Sequence, residues 1–282
     1  MRAKAPASSA NLGPGFDTLA LALSLYVEVE VHDAAELTIT SEGEGSDLPL
    51  DASHLAARVA TEVVGHDRLA IHVRSEIPVG RGLGSSAALA AAAAAAAGAA
   101  DPLAVAADVD GHPENAAASV AGGLVTATTV EGLAVVTPLP LDDDLGFVVL
   151  IPNRKLPTKE ARAALPAEVP HRDAAFNLGR MGLLLSGLAD ASRLRPEATE
   201  DRLHQNQRGP LFPEAAPLMA GLVEAGALAS CWSGAGPTLL AICRRAAAAD
   251  IRSRGEELLR MHGVDGAALV LDADRRGLTI TG

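Results

Sequence analysis

The sequence predicts an α+β protein of two domains. The chain has 282 residues, strand-like and helix-like patterns alternate in both of its halves, and a proline-rich, acidic stretch from Pro138 to Asp144 separates the halves. At roughly 100 to 200 residues per domain this length accommodates two. Strands and helices mixed within each half define the α+β class, and composition shifts of that kind mark domain boundaries. The boundary is placed after residue 143, giving domains 1–143 and 144–282.

Leu25 to Val31 alternates apolar and acidic residues, the period-2 pattern of a half-buried strand. Short strands are expected at Leu37 to Thr40 and at Leu69 to Val73, with a helix at Leu55 to Val64 between them. Ser85 to Ala97 is the clearest helix, because alanine has the highest helix propensity and Gly98 supplies a stop. Asp108 to Val120 reads as a helix broken at Gly111-His112-Pro113, followed by a strand from Leu124 to Val130. In the second half the expected order is a strand at Phe147 to Ile151, then helices at Phe176 to Asp190 and Pro213 to Glu224. A strand at Thr238 to Cys243, a helix at Ala246 to His262 and a strand at Ala267 to Leu271 complete it.

Composition excludes several functions. A formal net charge of −12 and a pI near 5.1 leave no basic surface for nucleic-acid phosphates. The apolar run Ala87 to Ala97 is about half the ~20 residues that span a bilayer, and no signal peptide follows Met1, so a cytoplasmic protein is expected. Cys231 and Cys243 have no metal-ligand spacing and read as core thiols. Aromatic residues make up only 2%, so Ala, Leu and Val must fill the core, with the single tryptophan, Trp232, packed among them.

The segment with the most chemical content is Pro78-Val79-Gly80-Arg81-Gly82-Leu83-Gly84-Ser85-Ser86-Ala87-Ala88. Its glycines tolerate positive φ and close backbone approach, and they lead directly into the strongest helix. Unpaired N–H groups and the helix dipole, about half a positive charge, make such a start a cradle for phosphate. Ser85 and Ser86 stand where hydroxyls can cap the helix or reach a cation. The glycine spacing fits neither a Walker A loop nor a dinucleotide fingerprint.

The full string resembles the ATP-binding signature of the GHMP kinases, and three further segments resemble the homoserine kinases among them. Ala5-Pro6-Ala7-Ser8-Ser9-Ala10-Asn11-Leu12-Gly13-Pro14-Gly15-Phe16-Asp17 is similar to the N-terminal substrate motif. By that resemblance Asn11 and Asp17 contact an amino-acid substrate, the Asp17 carboxylate meeting the substrate's ammonium group. Gly111-His112-Pro113-Glu114-Asn115 resembles a His-x-Asp-Asn motif, with Glu114 in place of the usual acid. His112 and Asn115 would line the substrate site, Asn115 holding the reacting hydroxyl. Pro157-Thr158-Lys159-Glu160-Ala161-Arg162 resembles an element whose arginine pairs with the substrate carboxylate, and Arg208 matches a second such arginine. Paired guanidinium forks suit a carboxylate. Thr158 and Gly234, the latter in the glycine-rich turn Ser233-Gly234-Ala235-Gly236-Pro237, complete the expected substrate contacts.

The resemblance implies a kinase that uses ATP and Mg²⁺ to phosphorylate the L-homoserine hydroxyl in threonine biosynthesis, with homodimerisation expected. It further implies an N-terminal ATP-binding domain with a left-handed βαβ crossover and a C-terminal ferredoxin-like domain. Ser86 and Asp108 are the expected metal ligands, Asp110 being the alternative. Asn115 and Asp17 are the candidate catalytic residues, Asp17 as a proton acceptor. Two alternatives stay open: the same fold with another alcohol acceptor, mevalonate-like or a sugar, and a non-catalytic ATP-binding homologue.

Overall fold

A computed structural model describes residues 1–281. β1 (Arg2–Asn11) and β2 (Gly15–Asp33) form an antiparallel hairpin. The residues that β1 turns into the core are small, with Ala3, Ala5 and Ala7 all buried, which lets a helix lie close against the strand. β3 (Thr38–Gly43), α1 (Leu55–Val64) and β4 (Leu69–Ser75) form a βαβ unit in which β3 and β4 are parallel neighbours. β4 pairs with the outer part of β2, Val27 to Asp33.

The phosphate-loop segment leads into α2 (Ser85–Ala96), in which every residue from Ala90 to Ala96 is buried. A helix buried on all sides must present small side chains when sheet and helices crowd it, and this one packs on β1 and β2 with α1 beside it. α3 (Pro102–Asp110) and α4 (Glu114–Ala121) also flank it, separated by Gly111 in the left-handed region and by Pro113. β5 (Leu124–Val130) and β6 (Leu133–Leu139) close this layer, with β5 pairing to Leu19–Leu21 of β2.

The second layer begins with β7 (Leu145–Pro152), buried along its whole length. It continues through α5 (Thr158–Ala163), α6 (His171–Ala189), the single turn α7 (Gln205–Arg208) and α8 (Ala215–Glu224). β8 (Ala229–Trp232), β9 (Leu239–Arg244), α9 (Ala248–Met261) and β10 (Gly266–Leu271) follow. The antiparallel order β10-β7-β9-β8 is the arrangement of a ferredoxin-like βαββαβ unit. Cys231 and Cys243 are fully buried, and burial pushes their thiols up to about 12 and about 11. They are core residues, as expected. Trp232 packs edge-on against Phe212.

The tail departs from the simple division at residue 143. Leu23 bridges to Ala273, and β11 (Thr279–Thr281) adds itself to β1, so the chain ends in the first sheet. Among the described residues no helix is long and apolar enough to cross a membrane.

Candidate active site

A cleft of about 390 Å³ lies between the two layers. One wall is the phosphate loop. Gly80, Gly82 and Gly84 all adopt positive φ, and Gly84, the N-cap of α2, has no side chain with which to cap the first turn. The leading N–H groups therefore face the cleft free of a cap. Two of these glycines are sterically required. A Cβ on Gly82 would stand 2.3 Å from the Ser233 carbonyl oxygen, and one on Gly84 would stand 2.0 Å from Ser8 Oγ.

The glycine-rich turn of the second layer, with Thr238 just after it and Leu156 before α5, holds this loop in place. Ser233 Oγ donates to the Gly82 carbonyl at 2.6 Å, Thr238 N to that of Arg81 at 3.2 Å, and Leu156 N to that of Gly80 at 3.1 Å. The same turn also reaches the β1–β2 connection, where Gly234 N donates to the Ala10 carbonyl and Asn11 Nδ2 donates to the Gly234 carbonyl at 2.8 Å. Asn11, Leu12 and Asp17 all have positive φ. Such backbone conformations persist in non-glycine residues only where surroundings enforce them, and here Asn11 Oδ1 accepts from Asp17 N at 3.0 Å. Asn11 thus braces Asp17 and also lines the cleft itself.

Asp17 and Arg162 form a two-pronged ion pair, both contacts 2.8 Å, with Asp17 also raising the Arg162 pKa above its ordinary value. Arg208 lies just behind, almost fully buried. Burial and the nearby Arg162 charge bring it down to about 10, still cationic at neutral pH. It donates to the Gly234 carbonyl and to His204 Nδ1. The ring of Phe16 lies under both guanidinium groups at 5.6 Å. Thr158, at the first position of α5, is exposed at the cleft rim.

Asn115 stands at the first turn of α4, where its Oδ1 accepts from Ser8 Oγ at 2.9 Å. That role leaves Nδ2 as the group able to donate to a ligand. His112 Nδ1 lies 2.6 Å from Glu114 Oε1, and the Glu114 contact raises the His112 pKa. Glu114 is almost completely buried, and its Oε2 has no hydrogen-bond partner.

The metal assignment needs correcting. Asp108 is exposed and does not line the cleft, whereas Asp110 does and accepts from Ser86 Oγ at 2.6 Å. At 100° per residue, side chains two apart on α3 point to nearly opposite faces, so only one of the two acids can look inward. Burial raises the Asp110 pKa. Ser86, Asp110 and the unpartnered Glu114 oxygen form a set of hard oxygen donors beside the phosphate loop, which fits Mg²⁺. Among the described residues no cluster of three or more His, Cys, Asp or Glu makes a full cage, and Mg²⁺ is commonly held by one or two carboxylates together with substrate phosphates.

Sequence reasoning missed several contributors. Ser8 sits within the quoted N-terminal motif, but only the fold shows that it braces Asn115. Leu48, Leu55, Leu89 and Val109 give the cleft an apolar end next to Val79. His54, the N-cap of α1, lies behind that end.

A helix start without a side-chain cap, two guanidinium groups and a carboxylate line one cleft, an arrangement that suits a small-molecule kinase. Family models place the chain among the GHMP kinases: the GHMP kinases N terminal domain matches residues 52–123 and the GHMP kinases C terminal domain matches residues 175–260. Within that class the curated relatives include the homoserine kinase of Thermus thermophilus, 41% identical over 94% of this chain and 94% of its own. That of Streptomyces coelicolor is 40% identical over 99% and 94%. The chain belongs to the homoserine kinase family. The solved homoserine kinase of Cytophaga hutchinsonii superposes with a TM-score of 0.86 at 26% identity, covering 100% of this chain and 97% of that one. A mevalonate kinase of L. major shares the fold, with a TM-score of 0.71 at 14% identity over 98% and 97%.

Proposed function

We propose that this chain transfers the γ-phosphoryl group of ATP to the side-chain hydroxyl of L-homoserine. The observation that carries the acceptor is the grouping of Asp17, Arg162 and Arg208 in the same cleft as the phosphate loop. A zwitterionic amino acid brings a carboxylate to the arginines and an ammonium to Asp17, and its arrival replaces the internal Asp17–Arg162 pair with two external ones. An uncharged sugar offers no such exchange.

The phosphate loop and the uncapped first turn of α2 would hold the triphosphate, with the apolar end at Leu48, Leu55 and Leu89 taking the base. Ser86 and Asp110 would hold Mg²⁺, which when bound neutralises charge on the β- and γ-phosphates. Asn115, fixed by Ser8, would orient the acceptor hydroxyl through Nδ2. Transfer through a loose transition state depends mainly on such positioning, and the nucleophile gives up its proton late. Both carboxylate oxygens of Asp17 accept from Arg162, which shows that the group can partner a cation, and Asp17 would serve first as an ammonium partner.

The test is ADP release by the purified chain with ATP, Mg²⁺ and, separately, L-homoserine, D-homoserine, L-serine, mevalonate and galactose. Stereoselective turnover with L-homoserine is expected. Turnover with only another alcohol would replace the acceptor, and nucleotide binding without turnover on any of them would identify a non-catalytic homologue.

A further inference from the structure

His204 has no part in the roles considered so far, yet it is among the most completely enclosed polar side chains of the chain, with 0% of its surface exposed. It stands at the N-cap of α7, but its side chain makes no capping bond to that helix and meets no solvent. Its two ring nitrogens reach separate halves of the acceptor end of the cleft. Nε2 lies 2.8 Å from the Gly13 carbonyl oxygen, and Nδ1 lies 3.0 Å from Arg208 Nη1. A carbonyl only accepts and a guanidinium only donates, so these partners admit a single state of the ring: neutral, with the proton on Nε2. The ring face stacks on Phe16 at 5.2 Å and 26°. Burial opposes its protonation and holds the imidazole down to about 4, despite the nearby Asp201.

The surroundings hold the ring in that place. Asp201 Oδ2 accepts from the backbone N–H groups of His204 and Gln205, both at 2.7 Å, and so caps α7, while Asn177 Nδ2 donates to Asp201 Oδ1 at 2.7 Å. Gly13 lies in the positive-φ turn that carries Asn11, Leu12 and Asp17, and a Cβ there would stand 2.3 Å from the Thr199 carbonyl oxygen. The turn therefore rests against the second layer at the point where His204 holds it. The charged groups that face the ring are Asp201, Arg208 and Asp17, from three different segments.

We infer that His204 is a positioning residue for the acceptor: as the Nε2–H tautomer it joins the Gly13 turn to Arg208, setting the direction of the buried guanidinium relative to Asp17. This rests on the reading that Arg208 meets the acceptor's carboxylate. Swinging the guanidinium away would leave the charge in place but spoil the two-point fit to the amino acid.

Two substitutions divide the roles of the ring. Gln in His204→Gln puts an amide N–H near the Nε2 position, so it keeps a donor for the Gly13 carbonyl while removing the acceptor for Arg208. His204→Phe keeps the stack on Phe16 and removes both hydrogen bonds. Each is expected to raise the L-homoserine KM by about 10-fold while the ATP KM changes by less than about twofold. In an Arg208→Lys background, His204→Gln is expected to add less than about twofold, because the guanidinium it guides is already gone. Long-range ¹H–¹⁵N spectra of the full chain labelled at histidine are expected to show the Nε2–H tautomer at neutral pH.

An unchanged homoserine KM in a folded His204→Gln protein, additive effects in the double variant, or an Nδ1–H ring would each overturn the inference. If neither variant folds, the spectrum of the unaltered chain still decides it. A wild-type chain that does not phosphorylate L-homoserine would overturn the acceptor instead, leaving the tautomer to be read independently.

Discussion

Replacing Arg162 by alanine is expected to perturb acceptor binding at one defined point. Its guanidinium makes two 2.8 Å contacts to Asp17, with side-chain exposures of 40% for the arginine and 33% for the aspartate. Fully buried, a charge-assisted contact of that geometry is worth roughly 1.5 to 3 kcal/mol. Exposure of this extent screens the charges and brings the value just below that range, to about 1.4 kcal/mol, or about tenfold in an equilibrium constant. Arg208 stays in place as a second cation, so binding weakens without being abolished. The expected outcome for Arg162→Ala is a homoserine KM raised by about 10-fold, with the ATP KM unchanged to within about twofold. Arg162→Lys retains the charge and loses the fork, and an intermediate rise of about 3-fold is expected. Coupled ADP-release kinetics, varying homoserine at saturating ATP and then the reverse, separate the two constants. An unchanged homoserine KM, or an ATP KM that moves as far as it does, would falsify the assignment of Arg162 to the acceptor.

Gly84→Ala forces a Cβ to 2.0 Å from Ser8 Oγ at φ +65°, displacing the brace of Asn115; a kcat loss of about 100-fold and a stability loss of about 1 to 3 kcal/mol are expected, read by kinetics and thermal melting. Asp110→Asn is expected to cut turnover by more than about 10-fold and raise the Mg²⁺ requirement, with Asp108→Asn staying within about twofold of the unaltered chain; a Mg²⁺ titration that ranks them the other way returns the metal to Asp108. For His204 the folded pKa, about 4, lies below the ordinary 6.5, so between those values the unfolded chain binds the additional proton and stability falls as pH drops through that window. The drop ascribable to His204 is about 3 kcal/mol, and denaturant melts of His204→Phe are expected to be flatter than those of the unaltered chain from pH 7 down to pH 4.

The elements most legible in the sequence are those whose local chemistry agrees with their tertiary setting. Leu55 to Val64 is a helix with the predicted limits, and Ser85 begins the alanine helix as predicted, with Ala97 its cap. The break at Gly111 to Pro113 falls where glycine and proline require it. β1 was not legible, because a strand of Ala, Ser and Pro has little β propensity and exists here by pairing with β2 and packing on α2. β6 and β11 are held by their sheet partners in the same way. Likewise the site's residue types could be read, but their facing could not. The choice between Asp108 and Asp110 depends on the rotational phase of α3, and Leu103, Val105, Ala106 and Val109 surround that helix without marking one face.

The parts of the site are joined through very few atoms. The carbonyl of Gly234 accepts both from Asn11 Nδ2, which braces Asp17, and from Arg208, while the adjoining Ser233 hydroxyl holds Gly82 of the phosphate loop. A displacement of this turn would therefore act on Asn11, Arg208 and Gly82 together. The main apolar core runs on from the first sheet into one face of the second, through Phe147, Leu240 and Ile242, so packing as well as these hydrogen bonds would keep a hydroxyl and a phosphoryl group in line.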